Sequence, residues 1–259
     1  MLTFKKTRAL FIIASTIAIG IFSIFPFSWL YLLLLPFLYI LILSYGSAFI
    51  ESGFFIKSIC RLDTNEKIIA LTFDDGPDPI NTPLILDILN KNSLHATFFV
   101  IGKKIKENES LLKRIKSEGH IIANHSFSHS YFFDFYPTKK VIADLERSSV
   151  LIKNSIGVTP KLFRPPYGVT NPNIARAVSQ LHLISIGWNI RSLDTVIKNS
   201  DKLYKRIVQR IKPGSIILLH DTGAHTLETL KSVILFAQKN NYKIVRLNEM
   251  LSINPYEEK

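Results

Sequence analysis

The chain opens on an apolar stretch unlike anything that follows it. Beyond Lys5, Lys6 and Arg8, no charged residue occurs from Ala9 to Ile50, a run of 42 residues, about twice the ~20 residues that one bilayer-spanning helix needs. The run divides at Phe25-Pro26-Phe27-Ser28, and the pattern predicts two membrane helices joined by a short turn. Trp29, Tyr31 and Tyr45 fall where interfacial aromatics belong, while Tyr39 falls deeper. A cleaved leader could use Lys5, Lys6 and Arg8 as its basic start, but its apolar core would be far too long. From Asp63 onward, short apolar runs alternate with amphipathic stretches. Strands are predicted at 68–73, 96–101, 120–123, 161–164, 183–188, 215–219 and 243–247. Helices are predicted at 82–91, 104–118, 138–155, 172–180, 201–211 and 225–239. Repeated βα units of this spacing specify an α/β domain with a parallel sheet, open or closed into a barrel. The organisation expected is a membrane anchor at 1–50, a linker at 51–65, one domain at 66–252 and a tail at 253–259.

Composition sharpens this picture. Of 259 residues, 47% are hydrophobic and 11% aromatic, enough for a full core and too much for a disordered chain. A mean hydropathy of +0.20 alongside 20% charged residues reflects a membrane piece joined to a soluble one. The single cysteine, Cys60, excludes an internal disulfide. The net charge of +12 divides into +4 over residues 1–62 and +8 over the rest. A basic domain beside a bilayer points to membrane lipid with anionic headgroups. Nucleic acid is not expected as a partner, because no aromatic-interleaved basic stripe or known module is present.

In such folds, chemistry collects at the carboxyl ends of the strands, and polar strings occur there repeatedly. In Thr72-Phe73-Asp74-Asp75-Gly76-Pro77, two adjacent carboxylates repel unless a cation or proton relieves them; the same string also suits an exposed turn. In His125-Ser126-Phe127-Ser128-His129, two histidines four apart fall on one face of a helical turn and can share a metal ion. No glutamate lies between them, unlike the metalloprotease helix. With Asp75 the set becomes two imidazoles and a carboxylate, which leaves positions open for water and substrate. In Phe163-Arg164-Pro165-Pro166-Tyr167-Gly168, an arginine between a strand end and a rigid turn is placed to pair with a carboxylate and hold it ionised. In Ile216-Ile217-Leu218-Leu219-His220-Asp221, a histidine closes a buried strand; alone it reads as a hydrogen-bonded core residue. His95, His120, His182 and His225 lack such settings and read as structural or surface residues.

Together these strings resemble the NodB-type polysaccharide deacetylases of carbohydrate esterase family 4, in order and spacing, from about Lys67 to Leu247. The resemblance implies a distorted (β/α) barrel with fewer than eight regular repeats, here preceded by a transmembrane helical hairpin. It implies one divalent metal ion, usually zinc, with cobalt, nickel and manganese as alternatives. It makes Asp74 the general base, and Asp75, His125 and His129 the metal ligands. Arg164 would orient Asp74, the Tyr167 N–H would support the oxyanion, His220 would be the general acid, and Leu218 would line the pocket for the acetyl methyl. The implied reaction is removal of an N-acetyl group from an N-acetylated sugar of a cell-envelope glycan.

One stretch departs from the family pattern. Asn189 and Arg191 stand where aspartates are frequent, and Thr195 stands where a tryptophan is usual. Asp194 is present and can pair with His220 to raise its pKa, but the missing tryptophan removes one aromatic wall of the sugar groove. That leaves a second enzymatic reading, an N-deacylase such as a deformylase acting on a lipid-linked sugar at the membrane. A non-catalytic glycan-binding relic is the third, disfavoured because Asp74, Asp75, His125, His129, Arg164 and His220 are all retained. The side of the membrane is contested. Basic residues at both ends of the hairpin and none in its turn place the domain in the cytoplasm, whereas a wall polymer requires it outside. Either Pro26 and Pro36 interrupt the helices, leaving one span and an in-plane segment, or the substrate is lipid-linked and reached from within. The family's usual polymers tip the expectation outward.

Overall fold

The computed structural model describes residues 2–25, 30–223 and 225–258. The N-terminal segment forms two helices, α1 (Phe4–Ile24), which takes in Lys5, Lys6 and Arg8 ahead of the uncharged run, and α2 (Leu30–Ala48). Both are long and apolar enough to cross a membrane, a measure that a signal sequence near the N-terminus also meets. Tyr39, too deep for an interfacial role, stacks on Phe11 of α1 with ring centroids 4.2 Å apart. Pro36 lies inside α2 and does not interrupt it. The turn, with Pro26 and Trp29, lies outside the described residues.

The remainder is built on one curled, all-parallel sheet. Its strands are β1 (Ile68–Asp74), β2 (Thr97–Val100), β3 (Ile121–Asn124), β4 (Leu162–Phe163), β5 (Ile184–Ser185), β6 (Ile190–Arg191), β7 (Ser215–His220) and β8 (Lys243–Ile244). They lie in the order β5-β4-β3-β2-β1-β7-β6, with β8 paired to the start of β1. The helices between them are α3 (Asn81–Lys91), α4 (Gly102–Ile105), α5 (Glu109–Ser117), α6 (Thr138–Ile156), α7 (Pro172–Gln180), α8 (Ser200–Val208), α9 (Thr226–Lys239) and α10 (Leu247–Leu251). Period-two alternation sorts β1 into two faces. Ile69, Leu71 and Phe73 pack in one core with Ile85 and Leu89 of α3 and Val233 of α9. Ala70 packs on the concave side with Phe99, Ile216 and, from α10, Leu247 and Met250. Each buried Ile, Leu, Val, Phe or Met side chain of these cores contributes roughly 1.5–3 kcal/mol. By the same alternation Thr72 and Asp74 share the concave side with Ala70. The β1–β7 register sets Thr72 beside Leu218 and Asp74 beside His220, so two polar strings distant in sequence meet at one strand end.

The structure departs from the predicted elements in four places, each with a local cause. The helix expected at 104–118 is α4, a 3-10 turn at Lys106–Asn108 and α5. Asn108 leaves the helical basin, and its amide donates to the Lys104 carbonyl at 2.9 Å, a side-chain bond that competes with the helix ladder. The strand expected at 183–188 is only β5, because the carbonyls of Ile186 and Gly187 accept from the Arg164 guanidinium instead of a neighbouring strand, and β6 begins beyond the expected range. The strand expected at 243–247 is only two residues long and leads into α10, which the pattern does not predict. The pair His125 and His129 lies on a loop rather than a helical turn, since Ser126 and His129 adopt left-handed φ angles of 65° and 42°.

No helix separates β5 from β6, although these are the two edges of the sheet. The sheet curls until residues 186–189 join its edges, and Ile59 and Arg61 bridge to Ile186 and Ser215 across the gap. The stretches read as linker and tail both bond to the sheet. Ile59 donates to Ser185 O at 2.9 Å, and the Tyr256 hydroxyl accepts from Ile122 N at 3.0 Å.

Candidate active site

Four strand ends contribute to one cleft of about 540 Å3, lined by Asp74, Asp75, His125, His129, Tyr167, Trp188, Leu218 and His220 among others, a volume ordinary for small-molecule sites. Asp74 and Asp75 are neighbours in sequence but diverge in direction, because Asp75 takes a left-handed φ of 75°. Gly76 follows of necessity: a Cβ there would lie 1.9 Å from Asp221 Oδ2. Asp221 itself is buried behind the turn, accepting from the Thr82 hydroxyl at 2.6 Å, and burial pushes its carboxyl up to about 7.

Arg164 is fully buried and every one of its bonds is local to the cleft floor. Its Nη1 donates to Asp74 Oδ1 at 2.7 Å and to Thr72 Oγ1 at 2.9 Å. Nε and Nη2 donate to the carbonyls of Ile186 and Gly187 at 3.2 and 2.8 Å, and the guanidinium stacks 4.0 Å from the Phe99 ring centroid. One oxygen of Asp74 is thereby fixed, and the other, Oδ2, faces His125 Nε2 at 3.8 Å.

Asp75, His125 and His129 bring one ligand atom each to within 4.8 Å of one another. Asp75 Oδ1 lies 3.2 Å from His129 Nε2 and 3.6 Å from His125 Nε2, and it is buried with no hydrogen-bond partner. His125 donates its Nδ1 proton to the Arg164 carbonyl at 2.8 Å, which leaves the Nε2 lone pair aimed into the cluster. Burial, reinforced by the adjoining His125, pushes His129 down to about 4, so its ring is neutral near pH 7. An orphaned carboxylate oxygen opposite two imidazole nitrogens fits a divalent cation.

The loop carrying both histidines is shaped by residues that the sequence reading missed. Asp144 of α6 accepts from Phe127 N at 2.7 Å and Ser128 N at 3.2 Å. Asn124 Oδ1 accepts from Ser126 N at 2.8 Å, and Ser126 Oγ accepts from His129 N at 3.0 Å. An aspartate within a long amphipathic helix carries no signal of such a role. Asn124, ending an apolar strand, does carry one.

On the far wall His220 Nδ1 meets Asp194 Oδ1 at 2.7 Å, while Asp194 Oδ2 accepts from His220 N and from the Thr226 hydroxyl, both at 2.7 Å. Burial opposes charge on His220, but the Asp194 hydrogen bond and charge outweigh it and raise its pKa above the ordinary histidine value. The Tyr167 backbone, left-handed at φ 59°, carries an N–H that bonds to no acceptor among the described residues. Leu218 is buried at the cleft wall. Of the divergent stretch, Asn189 is structural, exchanging bonds with Ser215 and Ile216, whereas Arg191 and Thr195 line the cleft. His120 is a core residue accepting from Ala96 N at 3.1 Å.

A family model described as polysaccharide deacetylase matches residues 61–185. A peptidoglycan-N-acetylglucosamine deacetylase of Bacillus cereus is 33% identical over 196 residues, covering 74% of this chain and 91% of that protein. The peptidoglycan-N-acetylmuramic acid deacetylase PdaC of Bacillus subtilis is 31% identical over 197 residues, covering 76% of this chain but 41% of that protein. Its solved structure superimposes with a TM-score of 0.68, over 74% of this chain and 93% of that one. A family 4 pseudoenzyme from Bacillus anthracis, 27% identical, superimposes at 0.70 over 75% of this chain and 68% of that one.

Proposed function

The chain belongs to the polysaccharide deacetylase family, hydrolases of N-acetyl amide bonds, and we propose that it deacetylates an N-acetylated amino sugar of the cell-envelope glycan, with a divalent ion, zinc by its donor set, held by Asp75, His125 and His129. One observation carries this reading. The cation cluster lies between an arginine-fixed carboxylate, Asp74, and an aspartate-backed histidine, His220, in a single cleft. Because a pseudoenzyme shares the fold, kinship alone does not make a catalyst; the complete set of proton-transfer groups supports activity here.

An ion bound there supplies Lewis acidity, activating water and polarising the amide carbonyl. Asp74, held by Arg164 through Oδ1, is positioned to take the proton of the attacking water. The free Tyr167 N–H donates to the oxyanion that forms as the carbonyl becomes tetrahedral. His220, its pKa raised by Asp194, gives its proton to the sugar nitrogen, which otherwise leaves poorly. The buried Leu218 side chain borders the acetyl methyl. Within this reading the hairpin is a membrane anchor for a domain of 66–252. A C-terminal fusion to alkaline phosphatase or to a cytoplasm-maturing fluorescent protein assigns its face.

The test is acetate release from N-acetylglucosamine oligomers and from N-acetylmuramic acid-containing glycan, with metal content measured on the same sample. His125→Ala should weaken metal binding by at least 10²-fold, as expected for loss of one pre-arranged ligand in three; metal content equal to that of the parent chain overturns the ligand assignment. Asp194→Asn should move the alkaline limb of the pH–rate profile to lower pH. The acid form of His220 is the active one, and removing the charge that raises its pKa lets the ring lose its proton earlier. An alkaline limb that stays in place assigns the acid role elsewhere.

A further inference from the structure

The hairpin is attached to a wall of the catalytic cleft. Thr170 N donates to Ser47 O at 3.1 Å, and Ser47 Oγ donates to Thr170 O at 2.8 Å, only two residues beyond Gly168, which lines the cleft. Gly46 lacks the Cβ that would lie 2.3 Å from the Phe54 ring, so the exit of α2 is packed tightly and does not hang on a loose tether. The loop at 130–136 adjoins the same wall. Asn171 Nδ2 donates to Asp134 O at 2.6 Å, and Asn173 Nδ2 donates to Tyr136 O at 3.1 Å.

This loop exposes three large aromatic residues within five positions: Tyr131 at 85%, Phe132 at 69% and Phe135 at 81%. Lys139 and Lys140 follow, and Lys140 Nζ stands 3.7 Å from the Tyr136 ring centroid. Exposed Tyr45 and Phe49 flank the end of α2. Aromatic rings backed by lysines are the composition of a surface that rests among lipid headgroups, the rings at the acyl boundary and the cations on anionic lipid. A glycan platform accounts for less of it: Tyr131 stacks on Tyr167 and lines the cleft, but Phe132 and Phe135 do not line it.

We propose that the Tyr131–Phe135 loop sits in the headgroup region of the bilayer that holds the hairpin, so that the cleft opens at the lipid surface and receives glycan held close to the membrane. The inference rests on the reading of α1 and α2 as membrane spans. Cys60 is buried and is the single cysteine, so new cysteines can be labelled selectively. The full chain carrying F132C, F135C, L38C on α2 or L235C on α9, each bearing an NBD fluorophore, is placed in phosphatidylglycerol nanodiscs containing doxyl-labelled phospholipid. Labels at 132, 135 and 38 should be quenched, and the label at the exposed Leu235 should not. Quenching at 38 with none at 132 and 135 overturns the inference and leaves the anchor standing; protection of the 132 and 135 labels by N-acetylglucosamine oligomers would then assign the loop to glycan. No quenching at 38 overturns the anchor, and the inference with it.

Discussion

Asp74→Asn should lower kcat by about 10²–10⁴ while leaving bound metal at the level of the parent chain. The amide oxygen of asparagine can still accept from Arg164 Nη1, now 2.7 Å from Asp74 Oδ1, so the cleft floor keeps its shape. The second position becomes an NH2 group, which cannot take a proton from water. Acetate release and metal content measured on one preparation check both halves of the expectation. Retained turnover would move the base role elsewhere, and Asp194 is poorly placed to inherit it: His220, Ser192 and Thr226 already occupy its oxygens.

Arg164→Leu carries the largest expected cost to stability. The substitution removes a buried cation, leaves Asp74 uncompensated beside Thr72, and orphans the carbonyls of Ile186 and Gly187. Breaking a buried pair from one side costs about 3–5 kcal/mol, so the melting temperature of the full chain in detergent should fall sharply and activity should vanish with it. Arg164→Lys should recover only part of the loss, since one ammonium cannot reproduce a planar fork that bonds a carboxylate and two carbonyls at once. A lysine variant as stable as the parent would show that the guanidinium geometry is not what holds the floor.

The site was legible in the sequence to the extent that strand ends announce themselves. An apolar run closing on Asp74, His125, Arg164 or His220 places each of these at the carboxyl end of a strand, and parallel strands bring such ends together. The resemblance then assigned roles that geometry is consistent with, including the pairing of Asp194 with His220. What stayed hidden depends on tertiary partners. Nothing in residues 183–188 says that two of their carbonyls will turn to Arg164 and end the strand. Nothing in the spacing of His125 and His129, which suits a helix equally well, reveals that Asp144 will hold their loop in left-handed turns. The depth of Tyr39 likewise has a tertiary cause, the Phe11 ring stacked against it.

The bridges from Ile59 and Arg61 to Ile186 and Ser215 bear on how the protein is made. Both partners of this clasp emerge from the ribosome more than a hundred residues after the hairpin, and closing so long a loop is entropically slow. If α1 and α2 form the proposed membrane anchor, that anchor is committed to the bilayer well before the sheet can draw its edges together. Until residue 215 is synthesised, the nascent domain is an unfastened half-sheet, with strand edges open to other chains. Weakening the clasp should show itself first as aggregation during biosynthesis, ahead of any defect in the finished enzyme.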